Sequence, residues 1–141
     1  SPNLDEILRD VPRITEPGSL RSIHGAASER LYAARSLLMS IPNSIAVWRD
    51  SRSDYLCTHQ SVQVKRLCGS SISFTTGGRT GKKNQKVSPH KITRADCDIL
   101  AVISPTGVVW VVPTDFIVSC PNKSKAVSKL DKYREAWSYL L

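Results

Sequence analysis

The chain has 141 residues, of which 40% are hydrophobic and 23% are charged. This length suffices for one domain with a real hydrophobic core, and the composition excludes a disordered or collagen-like chain. The 20 Lys and Arg residues outnumber the 12 Asp and Glu residues and give a formal net charge of +8. A basic excess of this size favours a polyanionic partner such as nucleic acid, although charge alone does not determine fold.

The sequence carries neither a membrane-spanning run nor the pattern of a secretory signal. No apolar stretch approaches the roughly 18 residues that a bilayer span needs, so we expect a soluble, intracellular protein without a membrane partner. The cysteines lack C-x-x-C spacing, which argues against a zinc site and favours reduced, mostly buried thiols. They are Cys57, Cys68, Cys97 and Cys120.

The N-terminal segment is interrupted by the breakers Pro12, Pro17 and Gly18. We therefore predict an N-terminal arm over 1–24 and a single domain over 25–141. No internal repeat, low-complexity tract or linker divides the predicted domain further.

The first regular element of that domain is predicted to be a helix over 26–40, ended by Pro42. Its predicted buried stripe recurs at helical spacing and consists of Ala27, Leu31, Ala34, Leu38 and Ile41. Glu29 falls away from this stripe, in the predicted first turn. A carboxylate there offsets the positive end of the helix dipole, which is a sufficient structural explanation for Glu29.

The stretch 54–65 alternates as two short strands joined by a polar turn. With 59–60 as the loop, Asp54 faces Lys65 and Leu56 faces Gln63. This register gathers Asp54, Gln63 and Lys65 on one face, where opposite and diagonal side chains lie roughly 5–8 Å apart, so they can meet around one ion or phosphate. The other face then carries Tyr55, Cys57, Val62 and Val64.

Further strands are predicted at 44–48 and, with weaker alternation, at 70–75. The segments 98–103 and 108–112 are nearly unbroken apolar runs joined by a type I turn at 104–107. Strands without polar alternation are buried on both faces, so these two should lie in the middle of a sheet covered on each side by helix.

A closing helix is predicted over 123–141, with the apolar stripe Ala126, Val127, Leu130, Tyr133, Trp137 and Leu140. The predicted fold class is therefore α/β (α+β). Its central mixed β-sheet has about four to five strands and is flanked by helices.

The glycine-containing loop at 77–86 does not meet the requirements of a phosphate-binding P-loop. Only three residues separate Gly77 from Gly81, and Lys82 is followed by another lysine instead of Ser or Thr. A flexible cationic loop remains, whose side chains either hold nucleic-acid phosphates or are simply solvated. These are Arg79, Lys82, Lys83 and Lys86.

Asp54 and Gln63 both offer hard oxygen ligands, which suit Mg²⁺ in its octahedral shell at about 2.0–2.1 Å. With a metal-activated water, and Lys65 orienting the nucleophile or neutralising the transition state, the set points to hydrolysis of a phosphodiester. The alternative is an exposed Asp54–Lys65 ion pair worth about 0.2–1 kcal/mol. Asp96 and Asp98 are further candidate metal ligands, although for Asp98 a strand-end cap or a pairing with a nearby lysine is favoured.

The order of these elements resembles the PD-(D/E)XK nuclease superfamily, which has the restriction-endonuclease-like fold. Members carry an acid on the second core strand, an acid-x-lysine triplet on the third, and often a glutamate on the first helix. The matching positions here are Asp54, then Gln63 and Lys65, and finally Glu29. The proline expected before the strand acid is replaced by Ser53.

The segment ADCDILAVISPTGVVWVVP followed by KLDKYREAW is similar to a branch that includes small intron-encoded homing endonucleases. In that branch glutamine also replaces the acid of the triplet. The resemblance implies a DNA endonuclease dependent on Mg²⁺ or Mn²⁺, with Asp54, Gln63 and Glu29 as metal ligands. It also implies a homodimer or homotetramer.

Gln63 is the main departure, because a neutral amide binds Mg²⁺ more weakly than a carboxylate. It is compatible with an active natural variant, with an inactive descendant that only binds nucleic acid, or with a substitution of the natural acid. The competing functions are a non-catalytic nucleic-acid-binding module and a structure-specific nuclease of Holliday junctions or DNA repair. A protein-binding domain with a basic surface is a third alternative.

Overall fold

A computed structural model describes residues 20–45, 55–57, 60–77 and 89–141. Within these ranges, two α-helices, α1 (Leu20–Leu38) and α2 (Thr114–Ser119), accompany nine strands. The strands are β1 (Ser44–Ile45), β2 (Tyr55–Cys57), β3 (Gln60–Arg66), β4 (Ser71–Ser73), β5 (Thr75–Thr76), β6 (His90–Lys91), β7 (Ile99–Ile103), β8 (Val109–Pro113) and β9 (Ser124–Ala126). Three short 3-10 helices follow at Val127–Lys129, Asp131–Tyr133 and Trp137–Leu140.

The centre of the fold is a five-stranded mixed sheet with the order β1-β2-β3-β7-β8. Strands β3 and β7 are parallel, and the other neighbouring pairs are antiparallel. The predicted α+β fold with a central mixed sheet is therefore confirmed. The predicted strand at 44–48 is confirmed over Ser44–Ile45, and its remainder lies outside the described residues.

Strands β2 and β3 form an antiparallel pair, but the predicted register is wrong by two residues. Tyr55 pairs with Val62, and Cys57 pairs with Gln60, which the prediction placed in the loop. A shift of two residues preserves the alternation of side chains between faces. The predicted apolar face is accordingly confirmed, because Tyr55, Cys57, Val62 and Val64 are all buried.

Helix α1 starts at Leu20, earlier than predicted and inside the segment assigned to the N-terminal arm. Glu29 therefore lies near the middle of the helix, and the first turn contains no acidic residue. The dipole explanation for Glu29 is wrong for this reason. The rest of the predicted arm, 1–19, lies outside the described residues.

The predicted apolar stripe of α1 is wrong within the helix, and only Ile41, which follows the end of the helix, is buried as predicted. Ala27, Leu31 and Leu38 face solvent, and Leu38 is 77% exposed. The helix instead buries Ser28, Tyr32, Ala33 and Ser36. Small residues on this side allow a close approach to the sheet, while the Tyr32 ring supplies the apolar area.

Each face of the sheet supports its own core. On one face, Tyr32 of α1 packs against Tyr55 of β2, with ring centroids 5.4 Å apart, and against Trp137 at 6.1 Å. The opposite face is covered by α2, the first two 3-10 helices and two small sheets, β4–β9 and β5–β6. The predicted strand at 70–75 forms two strands, β4 and β5, which belong to these separate sheets and do not extend the main one.

Strands β7 and β8 are buried on both faces, as their apolar runs predicted. The predicted turn between them is closed by a hydrogen bond from Gly107 N to Ser104 O at 2.9 Å, and Gly107 has φ 91°. Only β7 is internal, however, because β8 ends the order of the five-stranded sheet. The outer side of β8 is covered by the C-terminal segment.

The predicted C-terminal helix over 123–141 is wrong. The chain forms β9 and three short 3-10 helices, and it crosses the edge of β8 at Arg134 and Glu135. Glu135 N donates to Val109 O at 2.7 Å, and Val109 N donates to Glu135 Oε2 at 2.7 Å. This crossing satisfies the edge of β8, and it delivers side chains to both cores, which a single helical stripe cannot do.

Three of the four cysteines are buried, as predicted, and Cys68 is exposed. Burial raises the pKa of Cys97 to about 11, against a smaller lowering by the hydroxyl of Thr114. The Cys97 thiol is therefore protonated at neutral pH and acts in packing. Within the described residues, no helix has both the length and the apolar character to cross a membrane.

Candidate active site

The candidate site lies on the β3 face that points away from α1. Val62 and Val64 of this strand pack in the core beneath α1. Because side chains alternate along a strand, Gln63 and Lys65 project from the opposite face. Both are partly buried, so they border the second core without being enclosed by it.

The amide of Gln63 is satisfied at one end only. Its Nε2 donates to the Thr76 hydroxyl at 3.1 Å. Its Oε1 is buried and has no hydrogen-bond partner among the described residues. A buried acceptor left in this way costs about 1–3 kcal/mol, which calls for an explanation such as a water or an ion.

Lys65 lies two residues further along the same face, and its Nζ donates to the carbonyl of Thr75. Strand β5 therefore contacts both polar side chains, through the Thr75 backbone and the Thr76 hydroxyl. The structure thus brings together Gln63 and Lys65, as predicted from the strand alternation.

The neighbouring strand supplies an apolar side to this site. In the parallel pairing of β3 with β7, Gln63 lies beside Leu100 and Lys65 lies beside Val102. Both neighbours are essentially inaccessible to solvent. Electrostatic interactions at Gln63 and Lys65 are consequently less screened than at an open surface.

Strand β5 is held in place from its other side. Thr76 pairs with His90 of β6, and the His90 ring lies 2.9 Å from Asp96 Oδ2. The backbone N–H and the hydroxyl of Thr93 donate to the same oxygen, at 3.0 and 3.1 Å. Burial raises the pKa of Asp96, but the hydrogen bonds from Thr93 and His90 outweigh burial and leave that pKa lowered.

The two aspartates at the entry to β7 have structural partners. Asp96 is held by Thr93 and His90, as described above. Asp98 accepts hydrogen bonds from the Ser61 backbone N–H at 3.0 Å and from the Ser61 hydroxyl at 3.2 Å. Its other oxygen lies 3.8 Å from Arg94. The favoured interpretation of Asp98 as a strand-end residue is confirmed, with an arginine in place of the expected lysine.

Glu29 is placed on the other side of the sheet from Gln63 and Lys65. It precedes Tyr32 and Ala33 by three and four residues, so it lies on the buried side of α1. Its backbone carbonyl accepts a hydrogen bond from the Tyr55 hydroxyl at 3.0 Å. A shared site with Gln63 would therefore require the Glu29 carboxylate to reach past the sheet edge.

Several predicted site residues lie outside the described residues. Asp54, the residue before β2, is one of them, so its predicted pairing with Lys65 stays a prediction. The predicted cationic loop is likewise outside, with Arg79, Lys82, Lys83 and Lys86. Within the described ranges, no group of three or more His, Cys, Asp and Glu residues is arranged to hold a metal ion.

Sequence reasoning missed Thr75 and Thr76, which hold the two polar side chains. The only signal was the weak alternation at 70–75, which marks a strand without indicating its partner. The His90–Asp96 contact was missed as well, because a spacing of six residues does not predict contact unless the position of β6 is known.

Comparison with known proteins gives one informative result. No protein-family model matches the chain, and no curated protein matches it significantly in sequence. Among solved structures, a bacterial homing endonuclease, I-Ssp6803I, superposes with a TM-score of 0.70 at 18% sequence identity. The match covers 88% of this chain and 94% of that one. At this identity the similarity concerns the fold, so the chain shares the fold of a bacterial homing endonuclease.

Proposed function

We propose that the protein is a metal-dependent DNA endonuclease of the PD-(D/E)XK superfamily, of homing or restriction type. The observation that carries this proposal is the buried Oε1 of Gln63, which has no hydrogen-bond partner in the part of the chain that the structure describes and lies on the same strand face as Lys65. A second support is the fold shared with a protein described as a bacterial homing endonuclease.

The Gln63 oxygen fits a hard divalent cation. Mg²⁺ and Mn²⁺ prefer oxygen ligands, and this buried carbonyl oxygen accepts no hydrogen bond from the described ranges, so it can coordinate such an ion. Asp54 is the proposed carboxylate ligand that completes the protein's share of the shell, and Glu29 is proposed to join it only by reaching past the sheet edge, because its helix packs on the opposite face. When bound, the ion would acidify a water and stabilise charge that develops on the scissile phosphate.

Lys65 is proposed to act on the substrate directly. Its ammonium group has three N–H donors, and it donates to the Thr75 carbonyl. One of these can donate to a phosphate oxygen or orient the attacking water. The apolar neighbours Leu100 and Val102 strengthen this interaction by limiting solvent.

DNA is the proposed partner, and the net charge of +8 favours its approach. The cations Arg79, Lys82, Lys83 and Lys86 are proposed to contact backbone phosphates. A homodimer or homotetramer is proposed because a duplex has two strands to cut, and two subunits would supply two sites.

Cleavage assays with supercoiled and linear DNA in Mg²⁺ and in Mn²⁺ test the activity. We expect Asp54→Ala to abolish cleavage and Lys65→Ala to lower its rate by about 10²–10³-fold, the usual loss for one charge-stabilising donor. Lys129→Ala is the matched control, because Lys129 is exposed and its removal changes the net charge equally. Cleavage that survives both site substitutions at the wild-type rate would contradict the proposal.

The second candidate function is a nucleic-acid-binding module without catalysis, favoured by the neutral side chain at position 63. It predicts salt-sensitive DNA binding that is unchanged by EDTA, with no strand scission in Mg²⁺. Gln63→Glu separates the two functions. A gain of cleavage in this variant would identify a metal site weakened by the amide, whereas its continued absence would favour the binding module.

A further inference from the structure

A glutamine in a metal site has a problem that a glutamate does not have. The two oxygens of a carboxylate are equivalent, so either end can coordinate a cation. A primary amide has one oxygen and one NH₂ group, and rotation by 180° would direct two donors at the cation. A glutamine ligand is therefore stabilised by a neighbour that accepts a hydrogen bond from its nitrogen while its oxygen faces the cation.

Thr76 is placed to be that neighbour. Its hydroxyl accepts the hydrogen bond from Gln63 Nε2 at 3.1 Å, and the amide oxygen is the end that lacks a hydrogen-bond partner among the described residues. Donation from Nε2 also shifts electron density toward Oε1, which makes the oxygen a better ligand.

The position of Thr76 is itself well determined. Its strand, β5, pairs with β6, where His90 is held by the buried Asp96. The adjoining Phe74 is fully buried and hydrogen-bonded on both sides, with Phe74 N donating to Lys123 O and Ile92 N donating to Phe74 O, each at 2.8 Å. The hydroxyl is therefore carried by a fixed element.

We propose that Thr76 is a positioning residue, which orients the Gln63 amide so that its oxygen faces the metal. This inference rests on the proposed function, since it assumes that Gln63 coordinates the catalytic cation. It explains how a neutral amide can serve at a position where the superfamily usually has a carboxylate.

The test is Mn²⁺ binding to the intact protein without DNA, measured by titration calorimetry and by electron paramagnetic resonance. We expect Thr76→Val, which preserves shape and removes the hydroxyl, to weaken Mn²⁺ binding by about 10–100-fold, as is typical for partners of metal ligands. Thr76→Ser should bind within about threefold of the wild type, because it restores the acceptor. Thr106→Val is the control, because Thr106 is an exposed residue of the turn between β7 and β8 and its hydroxyl contacts Ser104 and not Gln63.

A double-variant cycle isolates the orientation effect. In a Gln63→Glu background the two ligand oxygens are equivalent, so adding Thr76→Val should change Mn²⁺ affinity by less than about threefold. The side-chain NH₂ resonances of Gln63 give a second readout. They are identified by their absence in Gln63→Glu, and they should shift in Thr76→Val and stay near their original positions in Thr76→Ser.

Three results would overturn the inference, and they differ in what they imply. Wild-type affinity in Thr76→Val would show that the hydroxyl has no orienting role, while the proposed function would stand. Loss of affinity in Thr76→Ser as well would assign the effect to packing. Failure of the wild type to bind Mn²⁺ would remove the metal site, and with it the proposed function.

Discussion

The two faces of the central sheet are covered by different elements and carry different residues. On one face a single long helix, α1, packs Tyr32 against Tyr55 and Trp137 in a continuous apolar core. On the other face short strands and turns cover a second core, and at β5 they meet two polar side chains, Gln63 and Lys65. Strand β3 contributes to both faces through alternate residues.

Strand β3 therefore contributes core-packing residues to one face and candidate functional residues to the other. Under α1 the aromatic rings pack against one another and the hydroxyls of Tyr32 and Tyr55 are hydrogen-bonded, so this core is explained by stability. Under β5 a buried oxygen remains without a partner among the described residues, beside fully buried Leu100. A local departure from good packing and complete hydrogen bonding is typical of a functional site.

The largest expected effect is on the α1 face. Tyr32 is fully buried, and its hydroxyl donates to Asn43 Oδ1 at 3.2 Å. Tyr32→Ala should lower the free energy of unfolding by about 3–5 kcal/mol, because it removes a large aromatic side chain from a closed core. Urea denaturation followed by circular dichroism measures this change.

Leu38→Ala is the matched control on the same helix, because Leu38 is 77% exposed. We expect a change within about 0.5 kcal/mol. A loss comparable to that of Tyr32→Ala would show that the apolar stripe predicted from the sequence is buried, and it would contradict the orientation of α1.

The next effect concerns the support of β5. Asp96→Ala leaves Thr93 N and His90 without their carboxylate and should cost about 1.5–3 kcal/mol at neutral pH, the range for hydrogen bonds to a charged group. The folded-state pKa of Asp96 is lowered, so its contribution is complete above the ordinary value and is lost as pH falls through the folded value.

The pH dependence supplies the check on that prediction. Unfolding free energies of the wild type and Asp96→Ala should differ most near neutral pH and should converge as the pH falls from about 5 toward about 2. A gap that widens over this range would mean that the pKa of Asp96 is raised in the folded protein.

The smallest expected loss of stability among the site variants sharpens the contrast between the faces. Gln63→Met removes the unpartnered oxygen and keeps a side chain of similar length. We expect the free energy of unfolding to be unchanged or raised by up to about 2 kcal/mol, while Mg²⁺-dependent cleavage is lost. A fall of more than about 1 kcal/mol would indicate that Gln63 has a structural role.

The sequence predicted elements whose evidence is local. Unbroken apolar runs identified β7 and β8, and alternation assigned Gln63 and Lys65 to the face opposite Val62 and Val64. Both conclusions are insensitive to register, because a shift of two residues leaves each side chain on its face. The register itself depends on the turn, and there the prediction was wrong.

Hydrophobic periodicity predicted the wrong secondary structure where one segment contributes side chains to both cores. The apolar spacing at 123–141 suits a helix, yet Leu130 and Tyr133 belong to one core while Trp137 and Leu140 belong to the other. The division arises because the chain crosses the edge of β8 at Arg134 and Glu135, between these two pairs of residues. The predicted apolar stripe of α1 was wrong for a related reason. The buried side of this helix consists of small residues and one tyrosine, and not of regularly spaced large apolar residues.

The candidate site divides in the same way. The sequence by itself determined the mixed fold, the two buried strands and the Gln63–Lys65 face, since each follows from side-chain period and hydrophobicity along a short stretch. Only the tertiary structure decided that β5 lies against this face and that Thr76 accepts a hydrogen bond from the amide nitrogen of Gln63. The amide oxygen of Gln63 is then the end without a hydrogen-bond partner among the described residues. These contacts join segments that are distant in the sequence, so no local pattern relates them. They form only when the two small sheets, β4–β9 and β5–β6, cover one face of the main sheet.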